Sequence, residues 1–185
     1  MFKNIQKNNS NMNFKNSLVY VIALILVIVG MYFIFSKDNL DNDYPTPQPG
    51  FEIPKTAIHW HSWLRIVVNG QEQQIPDDIG TKPTDGYISS EMGMAPIHVH
   101  VGEGEINPDL GRKIHLENLR PYAKPRTLTV GYFFDVWGKN FNGTCILDYC
   151  NSGNKTVKIF VNDKPNYNFG DFYMQDGDRI LITYG

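Results

Sequence analysis

The chain has 185 residues, 42% of them hydrophobic, and a formal net charge of −2 at pH 7. That length supports one medium domain with appendages. The near-neutral balance offers no cationic excess with which to hold a phosphate backbone, so nucleic acid is excluded as the expected partner.

The first element is apolar. Leu18 to Phe35, LVYVIALILVIVGMYFIF, is a run of about eighteen residues without a charge, close to the minimum for crossing the hydrocarbon core of a bilayer. A transmembrane helix is expected over 18–36. The run exceeds a usual signal-peptide core and no small-x-small cleavage site follows it, so an anchor is expected rather than a cleaved leader. No cysteine stands near its end, which argues against a lipoprotein signal. Lys3, Lys7 and Lys15 precede the run while Lys37, Asp38, Asp41 and Asp43 follow it. The positive flank places residues 1–17 in the cytoplasm as a short tail and the remainder outside. Residues 37–55 contain Pro45, Pro47, Pro49 and Pro54 and read as an extended, semi-rigid linker, with a folded domain over 56–185.

Within that domain, WLRIVVNGQEQQIP reads as a hairpin: a β-branched run, Asn69-Gly70 as a type I′ turn, and a return strand ending at Pro76. A loop rich in Gly, Pro and Asp follows from Asp77 to Met94, then a strand around His98, a turn-rich excursion, and a strand over Lys113 to Asn118. Pro121 and Pro125 delay any helix. Thr129 is the expected N-cap of an amphipathic helix with Val130, Phe133, Phe134 and Trp137 on one face and Gly138 as its stop. That stripe reads as core. KTVKIFVND and GDRILITY are further strands. The order predicts an α+β fold, mostly β with one helix. A ubiquitin-like β-grasp core with an insertion is the first expectation, and a β-sandwich is the alternative. RIVVNGQEQQIP and KIFVNDKPNYNF read as two similar hairpins.

Histidine carries the chemical signal. His59 and His61 form one His-x-His pair, and His98 and His100 form another about forty residues later. Five histidines scattered at random give roughly 0.1 such pairs. Side chains two apart on a strand leave the same face, so each pair presents two imidazoles together. His115 and Glu117 repeat the spacing with a nitrogen and a carboxylate. One histidine on a strand is ordinarily a hydrogen-bonded structural residue; two pairs and a His-x-Glu predict a metal site. The expected ligands are His59, His61, His98, His100, His115 and Glu117. An all-nitrogen set favours copper, with zinc as the alternative.

Cys145 and Cys150, in a domain expected outside the cell, predict a local disulfide. Their spacing is not that of a C-x-x-C oxidoreductase, and no histidine follows Leu116, which argues against a cupredoxin. Asn142-Gly143-Thr144 and Asn154-Lys155-Thr156 are glycosylation sequons.

The succession HWH…VNG…IP, M..IHVH, IHLE, TVGYFFDVWGKNF and DGDRILITY resembles a largely uncharacterised family of membrane-anchored or secreted archaeal and bacterial proteins. Its recurring motifs are H-x-H, H-T-H-D, G-x-I-H-I-E and T-L-G-x-F-F-x-x-W-G. The resemblance spans about Ile58 to Gly185 and implies a metal, copper first, outside the cell, on His59, His61, His98, His100, His115 and Glu117. Val101 stands where that pattern has Asp, and GEGEINPDLGRK is longer than the usual link. The segment from Gly93 through His98 and His100 to Glu105 also resembles a first cupin motif, but the second motif would have to follow on the same hairpin, which a double-stranded barrel does not permit.

Three functions follow as expectations. The first is a tethered protein that binds copper for storage, delivery or a membrane complex or copper enzyme. The second is a zinc or copper metalloenzyme with Glu117 or Glu105 as base or ligand. The third is an accessory subunit of a membrane complex, whose helix contacts lipid.

Overall fold

The computed structural model describes residues 19–29, 31, 44–82, 93–102, 104–118 and 124–185. They divide into two units, Met1–Tyr44 and Pro45–Gly185. In the first, residues 19–29 are helical. Among the described residues no helix is long and apolar enough to cross a membrane. The remainder of the span expected at 18–36, the tail at 1–17 and residues 37–43 of the linker lie outside the described residues, as does the middle of the loop expected from Asp77 to Met94.

The second unit is built on β1, Ile58–Val68, which alternates buried and solvent-facing positions along most of its length. Buried Leu64, Ile66 and Val68 face one side, while His59, His61, Trp63 and Arg65 take the other, as a pleated strand requires. Asn69 (φ 50°) and Gly70 (φ 80°) are both left-handed, which makes the type I′ turn into β2, Gln71–Gln73. β2 stops short of the expected Pro76, a residue with no N–H to continue a ladder. Next come β3 (Ile97–His98), β4 (Ile106–Asn107) and β5 (Gly111–Asn118). The helix α1, Val130–Trp137, begins where Thr129 Oγ1 accepts the Tyr132 N–H and ends at Gly138 with φ 68°. After it come β6 (Cys145–Ile146), β7 (Tyr149–Cys150), β8 (Val157–Val161), β9 (Lys164–Asn166) and β10 (Arg179–Tyr184). The β8–β9 turn repeats the first hairpin, with Asn162 at φ 50° and Asp163 at φ 66°.

Eight strands form one sheet in the order β3-β5-β1-β10-β8-β9, with β2 on β1 and β4 on β5. β1 and β10, first and last in the chain, pair in parallel at its centre; the other pairs are antiparallel. The fold is α+β. Among the described residues it is one large sheet under a helix, with β6–β7 a separate two-stranded ladder, rather than the two facing sheets of a sandwich. Val130, Phe133 and Phe134 join Leu64, Ile66, Ile114, Leu116, Ile159, Ile180 and Ile182 in one core. Burying residues of this size is the dominant favourable term, and it leaves the opposite sheet face open for polar side chains.

The linker differs from expectation. The compact unit starts at Pro45, because Gln48 takes the place of a strand neighbour. Its Nε2 donates to the Tyr173 carbonyl at 2.7 Å and its Oε1 accepts the Tyr173 N–H at 3.0 Å. The Tyr173 hydroxyl donates to the Pro45 carbonyl at 2.6 Å, and the Phe51 ring packs 4.8 Å from it. Residues 45–55 are therefore part of the domain rather than a spacer. Gln48→Ala removes partners from two backbone groups of a residue that is fully buried, and is expected to cost about 1–3 kcal/mol in chemical unfolding. An unchanged midpoint would show the segment to be dispensable.

Candidate metal centre

The solvent-ward face of the sheet collects every histidine. β5 lies between β1 and β3, and its register sets His115 directly opposite His61 on one side and His98 on the other. His98, His115 and His61 thus form a row straight across three strands, with His59 opposite Glu117 in the next row. His100 lies two residues beyond His98, and its ring centroid is 4.6 Å from both His98 and His115. On the other side the His61 ring is 4.7 Å from both His59 and His115.

Ring nitrogens take defined roles because their partners can only accept. His98 Nδ1 lies 2.9 Å from the Ala95 carbonyl oxygen and must donate, so its Nε2 presents a lone pair, 3.1 Å from His100 Nε2. Two nitrogens bonded to one ion at about 2.0–2.1 Å and roughly 100° would be separated by about this distance. His115 Nε2 donates to Glu105 Oε2 at 2.8 Å, and His59 Nδ1 lies 2.7 Å from Glu117 Oε1. Two of the five rings, His98 and His115, are therefore held on one nitrogen by a carbonyl or a carboxylate, the usual companion of a ligating imidazole. The ligand atoms fall into two groups of three, His59–His61–His115 and His98–His100–His115, each within 4.8 Å. His115 Nδ1 is buried and without a hydrogen-bond partner.

Burial favours the neutral form of His98, His115 and His61. It pushes His98 down to about 4, against the pull of the Ala95 bond. Burial also lowers His115 despite the opposing Glu105, and lowers His61, with His59 and Lys113 acting in the same direction. Burial alone would raise Glu105, but hydrogen bonds from His115 and Lys113 outweigh it and hold the carboxyl below its ordinary value. Neutral imidazoles are the form that ligates.

The backbone beneath is pinned from two sides. Asp176 Oδ1 accepts the His61 N–H at 2.8 Å, the Gly177 N–H donates to the His61 carbonyl at 2.7 Å, and Ser62 Oγ donates to the Gln175 carbonyl at 2.9 Å. Arg112, 5% exposed, joins Asp77 to the His100 carbonyl through Nη2, which ties the end of the β3 segment to β5.

All five expected histidines come together. Glu117 is in neither group of three, and its carboxylate lies beside His59 Nδ1. Cys145 and Cys150 are disulfide-bonded across the β6–β7 ladder. Asn142 and Asn154 are exposed, and Asn142 Oδ1 accepts the Thr144 and Cys145 N–H groups at 2.8 and 2.9 Å. Arg112, Asp77 and Asp176 were not expected in the site. Arg112 carried a signal, for it shares the inward phase of Ile114 and Leu116, where a charge requires a partner. Asp77 and Asp176 are ordinary turn residues in sequence and carried none.

Compared with known proteins, the chain matches no family model, no curated protein and no solved structure.

Proposed function

We propose that this chain is a membrane-tethered, extracytoplasmic metal-binding protein whose five-histidine face holds copper, with zinc as the alternative. The observation that carries the reading is the row His98–His115–His61 across three strands, flanked by His59 and His100. Leaving His115 Nδ1 buried and unpaired costs about 1–3 kcal/mol, a loss that a bound ion reverses. An all-nitrogen donor set supports copper through the affinity order of the divalent ions. The apolar run after a lysine-bearing tail supports the anchor and its orientation. Membership of the resembled family, and a β-grasp reading of the sheet with its first and last strands paired at the centre, belong to the same proposal.

Binding is favoured over catalysis by the state of Glu105. A carboxylate held low by His115 and Lys113 is a poor general base at neutral pH. Its role is to orient His115, so Glu105→Gln is expected to weaken metal affinity about 10–100-fold in chelator competition; hydrolytic turnover lost in that variant would instead indicate an enzyme.

The test of the reading is titration of the full-length, metal-free chain with Cu²⁺ and with Zn²⁺ against a competing chelator. The parent is expected to bind, and His98→Ala/His100→Ala to lose at least a hundredfold in affinity, about 2.7 kcal/mol. Equal uptake by parent and variant refutes the reading. Purification with stoichiometric membrane partners but no metal would support an accessory subunit instead.

A further inference from the structure

We infer that the five histidines form two overlapping seats for a single ion, an outer seat of His59, His61 and His115 and an inner seat of His98, His100 and His115, between which the ion passes by ligand exchange at His115. The inference rests on the metal-binding reading above and deepens it.

Geometry separates the seats. The nitrogens divide into two groups of three, each within 4.8 Å, rather than one of five, and because bonds of about 2.0–2.1 Å hold ligand atoms no more than roughly 4.2 Å apart, a group closes slightly around its ion. His115 belongs to both. Its Nε2 is engaged by Glu105 at 2.8 Å, which leaves Nδ1, buried and unpartnered, as the nitrogen it offers. One lone pair bonds one ion. Filling both seats at once would require Glu105 to be displaced and the neutral ring to lose its one N–H proton, so the capacity is one ion per chain.

Exposure gives the pair a direction. The His59 side chain is 61% exposed, whereas His115 is 7% and His98 1% exposed. The outer seat is the more open to solvent, and the inner one is the more deeply set, with His98 buried and His100 half-buried. An ion captured by His59 and His61 acquires His115, then exchanges the outer nitrogens for His98 Nε2, already unprotonated, and for His100. One metal–nitrogen bond breaks for each one formed and the charge on the ion does not change. His115 never lets go, so the ion is never returned to water. The outer pair governs how fast the site fills, and the inner pair governs how long it stays filled.

Stopped-flow and electron paramagnetic resonance measurements with Cu²⁺ alone on the full-length, metal-free chain test this. The parent is expected to bind one Cu²⁺ with no dipolar coupling between ions. His59→Ala/His61→Ala should fill at least tenfold more slowly yet release Cu²⁺ to chelator at the parental rate. His98→Ala/His100→Ala should fill at the parental rate and release at least tenfold faster; if circular dichroism shows that double variant unfolded, the half-buried His100→Ala alone takes its place. Two coupled Cu²⁺ ions in the parent, or parental filling by the outer-pair variant, overturns the two-seat inference and leaves metal binding standing. A parent that binds no Cu²⁺ or Zn²⁺ overturns both.

Discussion

Gly111→Ala is expected to destabilise the domain by about 3–5 kcal/mol, a large share of the roughly 5–15 kcal/mol that holds a domain together. Gly111 begins β5 at φ 91°, and a Cβ there would stand 2.3 Å from the Leu64 carbonyl oxygen and 2.9 Å from Arg65 Cα. Both obstacles are backbone, which cannot swing away as a side chain can. The left-handed strain and the overpacking each contribute about 1–3 kcal/mol. The damage reaches the site because Gly111 begins β5, the strand that carries His115 opposite His61. Forcing β5 away from β1 at Arg112–Leu64 loosens that register. Denaturant unfolding of the parent and variant measures the loss, and a difference below about 1 kcal/mol would show that the strands separate without penalty.

Acidification is expected to remove about 3 kcal/mol from the metal-free protein between pH 6.5 and pH 4. Burial drops His98 to about 4 from its ordinary 6.5. In that window the unfolded chain takes up a proton that the folded chain refuses, so the unfolded state is favoured progressively as pH falls. The folded state keeps its full stability above pH 6.5, and the loss from His98 is complete below pH 4. Each tenfold weakening of proton affinity on folding corresponds to about 1.36 kcal/mol. His61 and His115, also lowered, act with the same sign. Chemical unfolding of the chelator-treated chain at pH 7.5, 6, 5 and 4 reads this directly. A flat profile would mean that His98 is protonated in the folded state. Saturating metal should steepen the loss, because protons and the ion compete for the same lone pairs.

Much of the fold is written in short-range chemistry. Asn69-Gly70 and Asn162-Asp163 specify their hairpins because few other residues accept two consecutive left-handed positions. Thr129 and Gly138 bound α1 through a side-chain acceptor and a positive φ. Misreadings arose where a side chain acts at a distance. Prolines at 45, 47, 49 and 54 spell an extended chain, but not that Gln48 would pair with Tyr173, 125 residues away. Glu117 offers a carboxylate at ligand spacing, and only the strand register shows that it stands opposite His59, 2.7 Å from that ring's Nδ1.

The amino-acid order by itself determined that His59 and His61 share a face, as do His98 and His100, because the period of an extended strand is two residues. It also determined that the helix buries an aromatic stripe, which leaves one face of the sheet for polar groups. Whether the pairs meet was decided only by tertiary structure. β5 had to settle between β1 and β3 with His115 aligned to both His61 and His98, and a slip of one residue would send His115 to the opposite face. That alignment is enforced by the packing of Ile114 and Leu116 against the core and by the closeness that Gly111 permits. These are contacts between segments far apart in the chain, and no local pattern encodes them.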